Sequence, residues 1–168
     1  MGGRVFYKIF GLPVHVLVIH AVVVLVPLCA VMAVVMLFWP VWRERLRWPL
    51  LILLTVATGS AFVAKQSGEQ LQAHLNFTNA SLDRHVMLGA KAPWIVLAFW
   101  MFTVAWLVLD SRRDRPGSPG PAALRLLGVL AVLAAVGATT WIVLTGDAGA
   151  RSIWAPQASQ GASALPGP

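Results

Sequence analysis

Charge is what this chain most conspicuously lacks. Only 11% of its 168 residues are Asp, Glu, Lys or Arg, and just 6 are acidic. A soluble domain of this length needs far more charge to cover its surface, so a water-soluble globule is excluded. Cysteine is almost absent as well. The single Cys29 lies inside an apolar run, which rules out an internal disulfide and a cysteine-based zinc site. No phosphate-binding loop and no catalytic motif occurs. The net charge of +7 suits a nucleic-acid partner, but the basic residues form no stripe with interleaved aromatics. They sit in short segments between apolar runs, where Arg and Lys set membrane topology instead.

Present in their place are four long apolar runs, 58% hydrophobic residues and a mean hydropathy of +0.76. Runs of this length match the bilayer core. The pattern predicts an all-α, integral membrane four-helix up-and-down bundle, forming one domain over 1–154. The helices are expected at about 13–39, 48–69, 82–109 and 121–145, and 155–168 reads as a disordered Pro/Ala/Ser/Gly tail. The first run is too long for a signal-peptide core. Pro13 suits a first turn, Pro27 a kink and Ser81 an N-cap, while Gly146 reads as a C′ terminator. Arg43–Arg47 reads as a short loop and Ser111–Gly120 as a flexible connector. Ala57, Gly59, Ser60 and Ala61 form a small-residue stripe suited to close helix packing.

Seven basic residues fall at one membrane face: Arg43, Arg45, Arg47, Arg112, Arg113, Arg115 and Arg125. The other six are spread over the opposite face. The compact grouping of the seven places both termini outside the cytoplasm, in a multi-pass protein of the cell membrane.

All four histidines, His15, His20, His74 and His85, fall on the terminus side. A helix rise of about 1.5 Å per residue compares their depths. On that rise His20 stands roughly 28 Å above Trp39 and His85 roughly 31 Å above Trp106. Glu69 stands roughly 31 Å above Trp48, and Asp147 roughly 33 Å above Arg125. One ionisable residue per helix thus reaches the outer edge of a core about 30 Å thick. Polar residues at helix ends commonly just meet water, and His74, in a loop, reads that way. His20 sits between Ile19 and Ala21, where a polar group is costly and calls for a partner. His15 is an outer candidate about 7 Å beyond it, turned away by about 140°.

Several of these residues carry a resemblance. Gly11-Leu12-Pro13-Val14-His15, His20, Ser67-Gly68-Glu69, Arg84-His85 with Gly89, and Gly146-Asp147-Ala148-Gly149-Ala150-Arg151 with Trp154 resemble the family called domain of unknown function 2231. The resemblance runs over nearly the whole chain to Trp154. It implies a four-helix bacterial membrane protein. Relatives carrying Rieske or cytochrome-like modules imply a membrane redox partner for some members. Two positions depart from the family pattern: Val16 stands where many members have Pro, and Asp147 where many have His.

Three readings of the polar layer stay open. His20 and His85, on parallel helices at similar height, are candidate axial ligands of haem b, with Gly59 and Gly89 making room. Alternatively, His20, Glu69, His85 and Asp147 form a non-haem transition-metal or proton-relay site, with His15 as an outer ligand. In the third, the layer only fixes helix packing in a structural subunit of a membrane redox complex.

Overall fold

The computed structural model describes residues 8–9, 12–72 and 79–163. His74 lies outside them. Two-residue strands β1 (Lys8–Ile9) and β2 (Leu12–Pro13) pair antiparallel ahead of the first helix. Four helices follow: α1 (Val14–Phe38), α2 (Arg43–Gln72), α3 (Ala80–Asp110) and α4 (Pro121–Ser163). All four are long and apolar enough to cross a membrane. Each packs on its neighbours in sequence, and α4 closes the ring on α1. α1 and α3 therefore stand on a diagonal, as an up-and-down bundle requires.

The core is built by heptad-like spacing. α1 buries Val22, Val26, Cys29, Ala33 and Met36, and α3 buries Val96, Phe99, Thr103 and Trp106. α4 faces them with Leu124, Gly128, Ala131, Ala135, Ala138 and Ile142, alternating steps of four and three. Most of that stripe is Ala or Gly, so the backbones approach closely without large side chains between them. The outward faces carry Val24, Val31, Ile52, Val56, Leu133, Val136 and Val143, all exposed and apolar as lipid contact demands. On α2 the close-packing residues are Ala57 and Ala61, while Gly59 faces outward.

Several helix ends differ from the sequence expectation. Arg43–Arg47 is the first turn of α2 rather than a loop. A 3-10 turn over Pro40–Trp42 feeds straight into it, and Glu44 meets the positive end of the helix dipole. Asn79, not Ser81, caps α3: its side chain accepts from the Leu82 N–H at 2.8 Å, reaching the third helical residue as a good cap does. The connector 111–120 carries a hydrogen-bonded turn of its own. Arg115 N–H donates to Arg112 O at 2.9 Å, Ser118 N–H to Arg115 O at 3.1 Å and Ser118 Oγ to Arg113 O at 2.6 Å. Gly117 supplies the positive φ of 80° that the turn needs.

α4 shows the largest difference. Gly146 does not end it, and 155–163 are helical where a disordered tail was expected. Tertiary contact explains why the helix runs past Gly146. Ala148 and Ser152 are buried, and Asn79 Nδ2 donates to Ser152 O at 3.0 Å.

At the basic end, Asp110 is only 2% exposed and gathers two arginines. Arg43 Nη1 lies 3.1 Å from Oδ1 and Arg47 Nη2 3.6 Å from Oδ2. Arg43 also donates through Nε to Met36 O at 3.0 Å and lies over the Trp106 ring. This knot ties α1, α2 and α3 together at one end. Trp106 itself fits because residue 128 has no side chain. A Cβ there would stand 2.9 Å from both Leu37 Cδ1 and Trp106 Cε2. Gly128→Leu is expected to destabilise the bundle by about 1–3 kcal/mol through overpacking, visible as a lowered thermal midpoint in detergent. The exposed Gly137→Leu, where a Cβ meets nothing within 4 Å, serves as the control that leaves it unchanged.

Candidate functional site: a histidine pair in an apolar cavity

At the terminus end residues of all four helices line a cavity of about 510 Å³, within the range of small-molecule and cofactor sites. Its walls are mostly apolar: Ile19, Val22 and Val23 from α1, Ala61 and Ala64 from α2, Leu82 and Val86 from α3. Two histidines, His15 and His85, reach into it from diagonal helices. Their ring centroids are 6.4 Å apart and their planes cross at 84°.

Both rings are held the same way. His15 Nδ1 donates to Ala64 O at 2.9 Å, and His85 Nδ1 donates to Thr145 O at 2.8 Å. A carbonyl has no proton to give, so each Nδ1 carries the hydrogen and each neutral ring keeps its lone pair on Nε2. Nδ1–H bonded to a main-chain carbonyl is the usual orientation of a metal-ligating histidine.

Glycine makes both contacts possible. Gly68 follows Ala64 by one helical turn, and a Cβ there would meet His15 Cε1 at 3.0 Å. Gly149 follows Thr145 by one turn, and a Cβ there would meet His85 Nδ1 at 2.9 Å. Ser67 Oγ adds a longer contact to His15 Nδ1 at 3.5 Å. The hairpins α1–α2 and α3–α4 thus supply equivalent half-sites: an imidazole, an accepting carbonyl, and a glycine four residues beyond it.

The four residues of the expected layer meet different fates. His85 is in the pair. His20 is exposed and does not line the cavity; His15, five residues earlier and turned by about 140°, takes the position opposite His85. Glu69 lies at the cavity wall but pairs with Lys65 along its own helix at 2.6 Å. Asp147 pairs with Arg151 on the outer surface of α4 at 2.9 Å. Among the described residues no group of three or more His, Cys, Asp or Glu side chains is gathered to hold a metal ion. Gly89 lines the cavity with open space beyond its Cα, whereas Gly59 does not line it. The sequence signals missed were the two glycines. Each lies in a motif tied to the family resemblance, but neither hinted at which histidine it seats.

These features define a class: a four-helix membrane protein with a paired-histidine cavity near one end of its bundle. The chain belongs to the family DUF2231, described as predicted membrane protein, which matches residues 11–160. Neither the curated proteins nor the solved structures include a match.

Two expectations follow. His15 stands 24 residues before Trp39, about 36 Å above it at a rise of about 1.5 Å per residue, and so beyond a hydrocarbon core about 30 Å thick. Burial holds its pKa below the ordinary value; the His85 ring nearby lowers it further, and the Ala64 hydrogen bond opposes both. The folded state then binds fewer protons than the unfolded one. Stability is full above the unfolded pKa of about 6.5 and falls as pH drops below it. Thermal midpoints in detergent should decline from about pH 7 to pH 5, and His15→Asn, which keeps a donor near the Nδ1 position, should flatten that decline. Separately, Gly68→Val and Gly149→Val should each cost about 1–3 kcal/mol and displace the adjacent imidazole, read as a shifted histidine resonance by NMR.

Proposed function

We propose that the cavity binds haem b between His15 and His85, for one-electron transfer or redox sensing in the membrane. The observation that carries this reading is the spacing of the two rings. Metal–nitrogen bonds of about 2.0–2.1 Å on both sides, plus the imidazole radius, put two axial ring centroids roughly 6 Å apart, against 6.4 Å here. The donor set agrees. Haem brings four nitrogens of its own, so two imidazoles complete its coordination, whereas a bare ion needs three or four protein ligands. The apolar walls suit a porphyrin, and Gly89 leaves room beside His85.

His15 and His85 would hold the iron through Nε2, their Nδ1–H groups fixed by the Ala64 and Thr145 carbonyls. Haem, when bound, supplies one-electron chemistry. The surrounding walls are mostly apolar, and the two carbonyls orient both rings. Family relatives with Rieske or cytochrome-like modules support a membrane redox protein as partner. The concentration of arginines at the other end supports a cytoplasmic position for that end and an extracytoplasmic one for the termini.

Protein produced with ample haem and purified in mild detergent should show a Soret band. His15→Ala and His85→Ala should each abolish or shift it, and His20→Ala should leave it intact. A folded wild-type protein without Soret absorbance, or a band that survives loss of His15, overturns the reading.

A further inference from the structure

The second unusual feature lies at the opposite end of the bundle. Seven arginines there face three acids, Glu44, Asp110 and Asp114, a net of +4 (7 − 3). The acids are unevenly used. Asp110 is consumed by Arg43 and Arg47, and Glu44 takes Arg47 Nη2 at 3.1 Å. Asp114 makes only a loose, exposed contact of 3.8 Å with Arg113. Among the described residues, Arg112, Arg115 and Arg125 make no ion pair and all are exposed. At the histidine end Lys65 and Arg151 are each matched to an acid on their own helix, and the exposed Arg84 and Lys91 are spread along α3 rather than gathered in one turn.

These cations are also held in place. The connector folds back on itself: Ser111, Arg112 and Arg113 N–H groups donate to Leu107, Leu109 and Asp110 carbonyls at 3.0, 3.1 and 3.3 Å. The Ser118 hydroxyl closes it onto Arg113 O at 2.6 Å. Three arginines are therefore displayed on a hydrogen-bonded turn. Exposed Trp39, Trp42 and Trp48 mark the same level of the bundle as the membrane–water boundary. A cluster of exposed guanidinium groups at headgroup height, two of them without an ion pair among the described residues, matches phosphate in charge and in hydrogen-bond geometry.

We propose that the 111–120 turn is a docking surface for anionic phospholipid headgroups. Arg112, Arg113 and Arg115 bind the lipid phosphates, and Arg45 and Arg125 flank them. The inference is independent of what fills the histidine cavity. Each arginine at such a surface contributes about fivefold in affinity, from about 1 kcal/mol per residue.

The test uses the full chain in mild detergent, titrated with phosphatidylglycerol, phosphatidylcholine or inorganic phosphate, with the thermal midpoint as readout. Phosphatidylglycerol should raise the midpoint, in a salt-sensitive way, well above any rise with phosphatidylcholine. The triple variant Arg112→Gln, Arg113→Gln, Arg115→Gln should lose more than half of that rise while keeping the lipid-free midpoint. Equal rises with both lipids overturn the proposal, as does a full rise in the triple variant. A rise with inorganic phosphate as large as that with phosphatidylglycerol assigns the site to free phosphate and likewise overturns it. If the triple variant shifts the lipid-free midpoint, Arg112→Lys, Arg113→Lys, Arg115→Lys replaces it in the comparison. Retention of the rise in that charge-preserving variant supports the proposal, and its loss overturns it.

Discussion

The bundle depends on how little side chain α4 presents where it meets its neighbours. Inside a bilayer, apolar burial gives helices no preference for each other over lipid, so association rests on close packing and on hydrogen bonds between helices. The stripe from Gly128 through Ala131, Ala135 and Ala138 supplies that closeness. It lets Trp106 lie fully buried against α4, and it brings the α4 backbone near enough for the Thr145 carbonyl to accept from His85. A larger residue anywhere in the stripe would push α4 outward and loosen both ends of the protein at once.

The histidine cavity shows the same physics on a smaller scale. An imidazole near a membrane needs a partner for its N–H, and here the partner is helix backbone that already serves its own helix. Backbone carbonyls in a helix have a spare lone pair but are shielded by the side chain one turn on. Removing that side chain at Gly68 and Gly149 opens Ala64 O and Thr145 O to His15 and His85. The two hairpins reach the same local solution at unrelated sequence positions, a histidine Nδ1–H on a helix carbonyl with a glycine one turn beyond it. Both rings line the same apolar cavity with Nδ1 engaged and Nε2 left without a carbonyl partner, an arrangement open to a ligand that takes two like donors.

The two ends handle charge in opposite ways. Near the histidines two cations are matched to acids along single helices, Lys65 with Glu69 and Arg151 with Asp147, while Arg84 and Lys91 stand exposed on α3. At the other end one buried acid, Asp110, anchors Arg43 and Arg47 between helices, and the remaining arginines face outward. The knot at Asp110 is structural and the outer arginines are available for the membrane surface.

Composition and run length by themselves determined the membrane assignment, the four helices, their order and the end at which the histidines gather. Those properties follow from the cost of burying polar groups in lipid and from helix rise, both of which can be read along one strand of residues. Which histidine faces which was decided only in three dimensions. Height along a helix comes from counting, but facing direction depends on rotation about the axis, and α1 is apolar on all sides, so nothing in its pattern marks an inner face. His20 and His15 stand about 140° apart on it, and packing against Gly68 selected His15. The same limit applies to Glu69 and Asp147. Their height was legible, but a same-helix cation claimed each of them. The ends of α2 and α4 also belonged to the tertiary structure: Arg43 is ordered by Asp110 from another helix, and α4 runs past Gly146 because Ala148 and Ser152 have a neighbour to pack against.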